Sequence, residues 1–192
     1  MTKDKTLGVI SKGTKVGEIA DTGSPIGNAE KAIEILKREG LFAEQSQSKL
    51  MFRQARSFSK ISRDIHQASL LVPPYNPEAC APFVVNAAFA SEMYLKTLLR
   101  LSDQSKNTHT LSSLFKLLPN KLKDQINKIT KDKSAVFQVE ASLFKDHLKT
   151  INNAFVDWRY IYEHKQATVN INKILLILTV LDTLACNEVQ KT

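Results

Sequence analysis

The stretch Asn153-Ala154-Phe155-Val156-Asp157-Trp158-Arg159-Tyr160-Ile161-Tyr162-Glu163-His164 decides how this chain is read. It holds the only Trp, two of the four Tyr and one of the four His. Aromatic and apolar residues alternate here with charged ones. Such a pattern belongs either to a binding surface or to a paired polar network inside a helical bundle. On a regular helix, five residues advance roughly 500°, so Arg159 and His164 stand roughly 140° apart about the axis. One straight helix cannot aim both at one point. Either the helix ends or bends near Glu163, or the two residues have separate roles.

Working outward, the periodicity predicts that a helix starting at Ser134 bears this stretch, with Val136, Val139, Leu143, Leu148, Ile151, Phe155 and Trp158 on its apolar side. A last helix is expected over about 170–189, where the run Ile174–Leu178 and then Leu181, Leu184 and Ala185 mark a buried segment. Upstream, Asn76 and Pro77 open a helix reaching about Ser102, with Phe83, Ala87, Ala90, Tyr94, Leu98 and Leu101 at core spacing. Short helices are expected to Leu118, capped by Asn107 or Thr108 with His109 in the first turn, and over Leu122–Ile129. A longer one runs from about Gln45 to Leu71, stopped by Val72-Pro73-Pro74. Its apolar side carries Leu50, Phe52, Ala55, Phe58, Ile61, Ile65 and Ala68. Its other side carries Lys49, Arg53, Arg56, Lys60 and Arg63, a stripe suited to phosphate or, equally, to solvent.

Glycine divides the chain. All six glycines lie in the first 40 residues and none follows. Glycine serves turns and weakens helices. The expected organisation is therefore a head over residues 1–44 and a helical body over 45–192. The head is read as a flexible arm in preference to a hairpin of Thr6–Ile10 with Lys15–Ala20, because a lone hairpin is marginal in water. It is followed by one short helix capped by Asn28 and ending at Gly40.

The net charge is +8 and the isoelectric point is near 9.5, which favours an anionic partner. Cys80 and Cys186 show no metal spacing and read as thiols of a reducing cytosol. The four His fall on separate segments, so no metal or other cofactor is expected. No apolar run approaches the roughly 20 residues that span a bilayer. The expectation is a cytoplasmic protein without membrane contact.

Arg159 and His164 form an R-x4-H pair that resembles the signature of HEPN domains. These are small all-α bundles, many of them metal-independent ribonucleases of toxin–antitoxin and phage-defence systems. Two further segments carry the likeness: Phe89-Ala90-Ser91-Glu92-Met93-Tyr94-Leu95-Lys96 and His109-Thr110-Leu111-Ser112-Ser113-Leu114-Phe115. In one HEPN subgroup a Glu-x-x-x-Lys helix and a His-x-Leu-x-x-Leu-Phe turn precede a Trp-Arg-Tyr-x-Tyr-Glu segment in this same order. The resemblance covers roughly residues 75–190.

It implies an antiparallel all-α bundle that dimerises, bringing two copies of the motif together, and an RNA substrate whose 2′-OH attacks the adjacent phosphate. His164 would move the proton and Arg159 would hold the phosphate. Glu92, Lys96, His109, Tyr160 and Glu163 would support them, with Glu92 either turned inward to hold Arg159 or paired with Lys96 at the surface. Tyr160 stands where active members commonly carry a small polar residue. A non-catalytic module that binds a nucleotide or a protein partner, such as a nucleotidyltransferase-type antitoxin, therefore stays open beside the ribonuclease.

Overall fold

The structure, a computed structural model, describes residues 5–42, 46–104, 106–152, 158 and 168–191. The chain divides into two compact units, Met1–Gln45 and Ser46–Thr192.

The first unit is a β-hairpin followed by a helix. Strands β1 (Thr6–Ser11) and β2 (Thr14–Ala20) pair antiparallel, with Leu7 opposite Ile19 and an irregularity between Val9 and Ile10. Lys12 and Gly13 join them at φ 49° and 83°. Two successive left-handed residues make the tight turn whose twist matches the strands it joins. Helix α1 (Pro25–Arg38) packs on this hairpin within the unit. The approach is close at Gly17, where an added Cβ would lie 2.9 Å from Ile35 Cγ2. The arm preferred from the sequence is therefore corrected to a hairpin: α1 supplies the cover that a hairpin alone lacks, and Val9 and Ile19 are buried. The cap is corrected too. Ser24, followed by Pro25, caps α1, while Asn28 accepts from Thr22 N at 2.7 Å and donates to Asp21 at 2.8 Å.

The second unit is all-α among the described residues. Its helices are α2 (Gln47–Ile65), α3 (Cys80–Arg100), α4 (Leu111–Leu117), α5 (Asn120–Ser134), α6 (Phe144–Leu148) and α7 (Ile171–Val189). A π-turn over His66–Leu70 extends α2, and a 3₁₀ turn over Pro77–Ala79, capped by Asn76, opens α3. Helices α3 and α7 form the centre. α3 packs on α2, α4 and α7, and α7 also meets α2, α5 and α6. The reason lies in composition: Ile174 to Leu178, Val180, Leu181, Leu184 and Ala185 are all buried on α7. On α3 the small residues Ala87, Ala88, Ala90 and Ser91 are buried and let neighbouring backbones come near.

The stretch from Ser134 departs from expectation. Ser134 ends α5 instead of opening a helix: its hydroxyl donates back to Thr130 O at 2.8 Å, and Gln138 at φ 54° turns the chain. The five-residue α6 then follows. Val136 and Leu143, expected on an apolar face, are consequently exposed, whereas Phe144, Leu148 and Ile151 are buried. α4 also starts later than expected, at Leu111, so His109 lies in the loop before it. No described helix is long and apolar enough to cross a membrane.

Candidate functional site

On α3, Ala88, Leu95 and Leu99 lie four before, three after and seven after Glu92, and all are buried. That spacing puts Glu92 on the inward stripe, and it retains only 6% of its exposure. A carboxylate in such a place costs several kcal/mol unless it is paired. Lys96 Nζ donates to its Oε1 at 2.7 Å, and His109 Nδ1 lies 2.9 Å from the same oxygen. The two readings left open for Glu92 thus combine in part: it points inward and it pairs with Lys96.

A carboxylate oxygen can only accept, so Nδ1 of His109 bears the proton. The ring is largely exposed, with a side-chain accessibility of 75%. Nε2 is left as the nitrogen that can take or give a proton at the surface, oriented by the carboxylate behind it. In the first turn of α4, Ser112 N donates to Asn152 Oδ1 at 2.8 Å. This bond ties the start of α4 to the residue that precedes the aromatic stretch. Trp158 packs half-buried against the core. Arg159, Tyr160, Glu163 and His164 lie outside the described residues.

The α2 stripe separates into two parts. Arg53, Arg56 and Lys60 line one open groove with Ser57. Arg63 is drawn aside, its Nη2 donating to Thr179 Oγ1 of α7 at 2.9 Å. Arg56 lies 3.7 Å from Asp182 Oδ1 and 5.8 Å from the centre of the Phe52 ring. Lys60 pairs with Asp64 one turn on.

Two further buried polar groups, Tyr94 and His147, are not among the candidate site residues. Tyr94, fully buried, donates from its hydroxyl to Asp182 at 2.8 Å. Burial, and then the Asp182 carboxylate, hold its phenol well above the ordinary value, so it stays a donor. A signal for this pair is present in the sequence: a Tyr at core spacing needs a partner for its hydroxyl, and Asp182 is the one charged residue between Lys173 and Glu188. His147 has no exposure; its Nε2 meets Ser142 Oγ at 3.0 Å, and its Nδ1 has no partner among the described residues. Burial, then the Lys173 charge, push its pKa down against the opposing pull of Glu140 and Asp146. Its place between Phe144, Leu148 and Ile151 at helical spacing marks it as inward-facing.

Among the described residues no three His, Cys, Asp or Glu side chains gather as a metal site. Compared with known proteins, the chain matches no family model, no curated protein and no solved structure.

Proposed function

We propose that this chain is a HEPN-like antiparallel bundle that acts as a homodimeric, metal-independent ribonuclease in a toxin–antitoxin or phage-defence system. One observation carries the reading. Glu92, Lys96 and His109, the residues that the first two resembling segments contribute, meet at a single carboxylate oxygen, although Glu92 and His109 are 17 residues apart in the chain. The Asn152 bond to the start of α4 supports it, because it brings the entry to the third segment beside the second.

In this reading the ribose 2′-OH attacks the adjacent phosphorus and the 5′-oxygen leaves. His164 takes or returns the proton, and Arg159 holds the phosphate oxygens on which charge develops. His109, whose Nδ1 faces Glu92, would serve as a supporting group through its Nε2. Arg53, Arg56 and Lys60 hold the RNA backbone along α2.

The test is cleavage of a mixed RNA pool by the wild type, Arg159→Ala and His164→Ala, with folding checked by circular dichroism. Loss of cleavage in folded variants, by about a hundredfold or more, is expected for groups with these roles. Cleavage that survives both changes overturns the ribonuclease.

A second reading, a non-catalytic module for a nucleotide or a nucleotidyltransferase-type antitoxin, is favoured by the α2 cations themselves. Arg56 and Lys60 face carboxylates within the chain and Arg63 is turned toward Thr179, which leaves less charge for an RNA backbone. RNA that binds without being cut would select this reading.

A further inference from the structure

A small cavity opens where the first turn of α2 faces the C-terminal half of α3 and the loop after it. Gln47, Lys96, Arg100, Gln104 and Lys106 line it, over an apolar floor of one side chain from each helix. It is small, about 90 Å³. A water needs only about 10–15 Å³ of such space, so the cavity has room for a small oxyanion.

Its charge is one-sided. Lys96 is already matched by Glu92 at 2.7 Å. Among the described residues neither Arg100 nor Lys106 forms an ion pair, and no carboxylate lines the cavity. Two positive charges at its rim are therefore unmatched. The nearby acid Asp103 sits at φ 54° in the loop and does not reach the lining.

Backbone hydrogen bonds hold residues 102–104 against the end of α3. Ser102 N and Gln104 N both donate to Leu99 O at 2.9 Å, and Asp103 N donates to Arg100 O. These bonds fold the loop back over the end of α3 and bring Gln104 into the same lining as Gln47. The positive end of the 19-residue α2 adds to the attraction for an anion.

We propose that this cavity binds a phosphate monoester group. The Arg100 fork and the Lys106 amine suit a dianion, the two glutamine amides supply neutral donors, and the cavity encloses the phosphoryl group while whatever bears it extends into solvent. The inference does not depend on RNA cleavage: a protein that never cuts RNA can still fill this pocket.

The test is calorimetric titration of the full chain with inorganic phosphate, ionic strength being held with chloride. The same titration is run on the double variant Arg100→Gln, Lys106→Gln, whose side chains lie at the surface and whose folding circular dichroism checks. Saturable binding by the wild type, weakened at least about tenfold in the folded variant, is the expected result when charge-assisted bonds are removed. No saturable binding by the wild type, or equal binding by both proteins, overturns the proposal.

A short oligodeoxynucleotide, which lacks the 2′-OH needed for the proposed cleavage, then separates the sources. A 5′-phosphorylated strand that binds more tightly than free phosphate and than its 5′-hydroxyl counterpart assigns the site to a nucleic-acid end. Affinity no better than that of free phosphate assigns it to the free ion. Both results retain the pocket.

Discussion

Helices α2 and α3 pack against each other and use charge in opposite ways. α3 carries Glu92 into the body, where Lys96 and His109 converge on one oxygen. α2 keeps Arg53, Arg56 and Lys60 at the surface, with Arg56 and Lys60 near carboxylates that water also reaches. A buried charge constrains the fold, because every partner must be in place. A solvated charge constrains almost nothing and remains open to a ligand. The difference separates residues that build the site from residues that could touch what it binds.

The largest effect should come from breaking the buried side of this contrast. Glu92→Ala strands the Lys96 amine, only 18% exposed, and frees the loop that carries His109. A loss of about 2–3 kcal/mol is expected, below the figure for a fully buried pair because His109 is open to water. Urea denaturation measures it, and Glu92→Gln should recover part of the loss, since its amide oxygen still accepts. A change within about 0.5 kcal/mol would place Glu92 with the solvated charges.

Next comes His147, buried like Glu92 but kept neutral. Its folded pKa lies below its ordinary value of 6.5. As the pH falls, the unfolded chain therefore takes up the proton first. Stability is full above about 6.5 and declines below it as the pH approaches the folded value. His66, lowered first by burial and then by Arg63, adds to the same decline. His147→Gln keeps a partner for Ser142 and does not titrate, so the drop between about pH 7 and about pH 5.5 should become shallower while the His66 share stays. An unchanged slope would exclude the His147 imidazole as the source.

Much of the helical body was legible because its signals are local. Asn76-Pro77 opened α3, Asn170 opened α7, and the dense apolar run from Ile174 marked the centre. What failed depended on contacts between segments. The hairpin needed α1 and the bare backbone of Gly17, neither of which periodicity within residues 6–20 reveals. The helix expected from Ser134 matched an apolar spacing, yet Ser134 closes α5 through its own hydroxyl and Gln138 reverses the chain. At the candidate site, Glu92 and Lys96 were readable as an i, i+4 pair. His109 as their third member was not readable from spacing, because the loop that brings it back follows no period. Arg63 looked equivalent to its neighbours on α2 until Thr179 of α7 claimed it.

The smallest stability effect is expected on the solvated side, and it sharpens the contrast most. Lys60 pairs only one turn along its own helix, with side-chain accessibilities of 75% for Lys60 and 55% for Asp64. Lys60→Gln should therefore shift stability by less than about 0.5 kcal/mol, the usual range for exposed pairs. If α2 meets an RNA backbone, the same change should weaken binding evenly across sequences. With one phosphate fewer neutralised on a single strand, the log–log salt dependence should become shallower by about 0.7. Arg56→Gln is the control with more at stake, since Asp182 and the Phe52 ring both lie against it. Should Lys60→Gln destabilise the fold as much as Glu92→Ala, the division between built-in and available charge would not hold. Should it leave both stability and RNA affinity untouched, Lys60 would belong to a solvated face, and the proposed phosphate pocket at the end of α3 would be the remaining candidate for an anion.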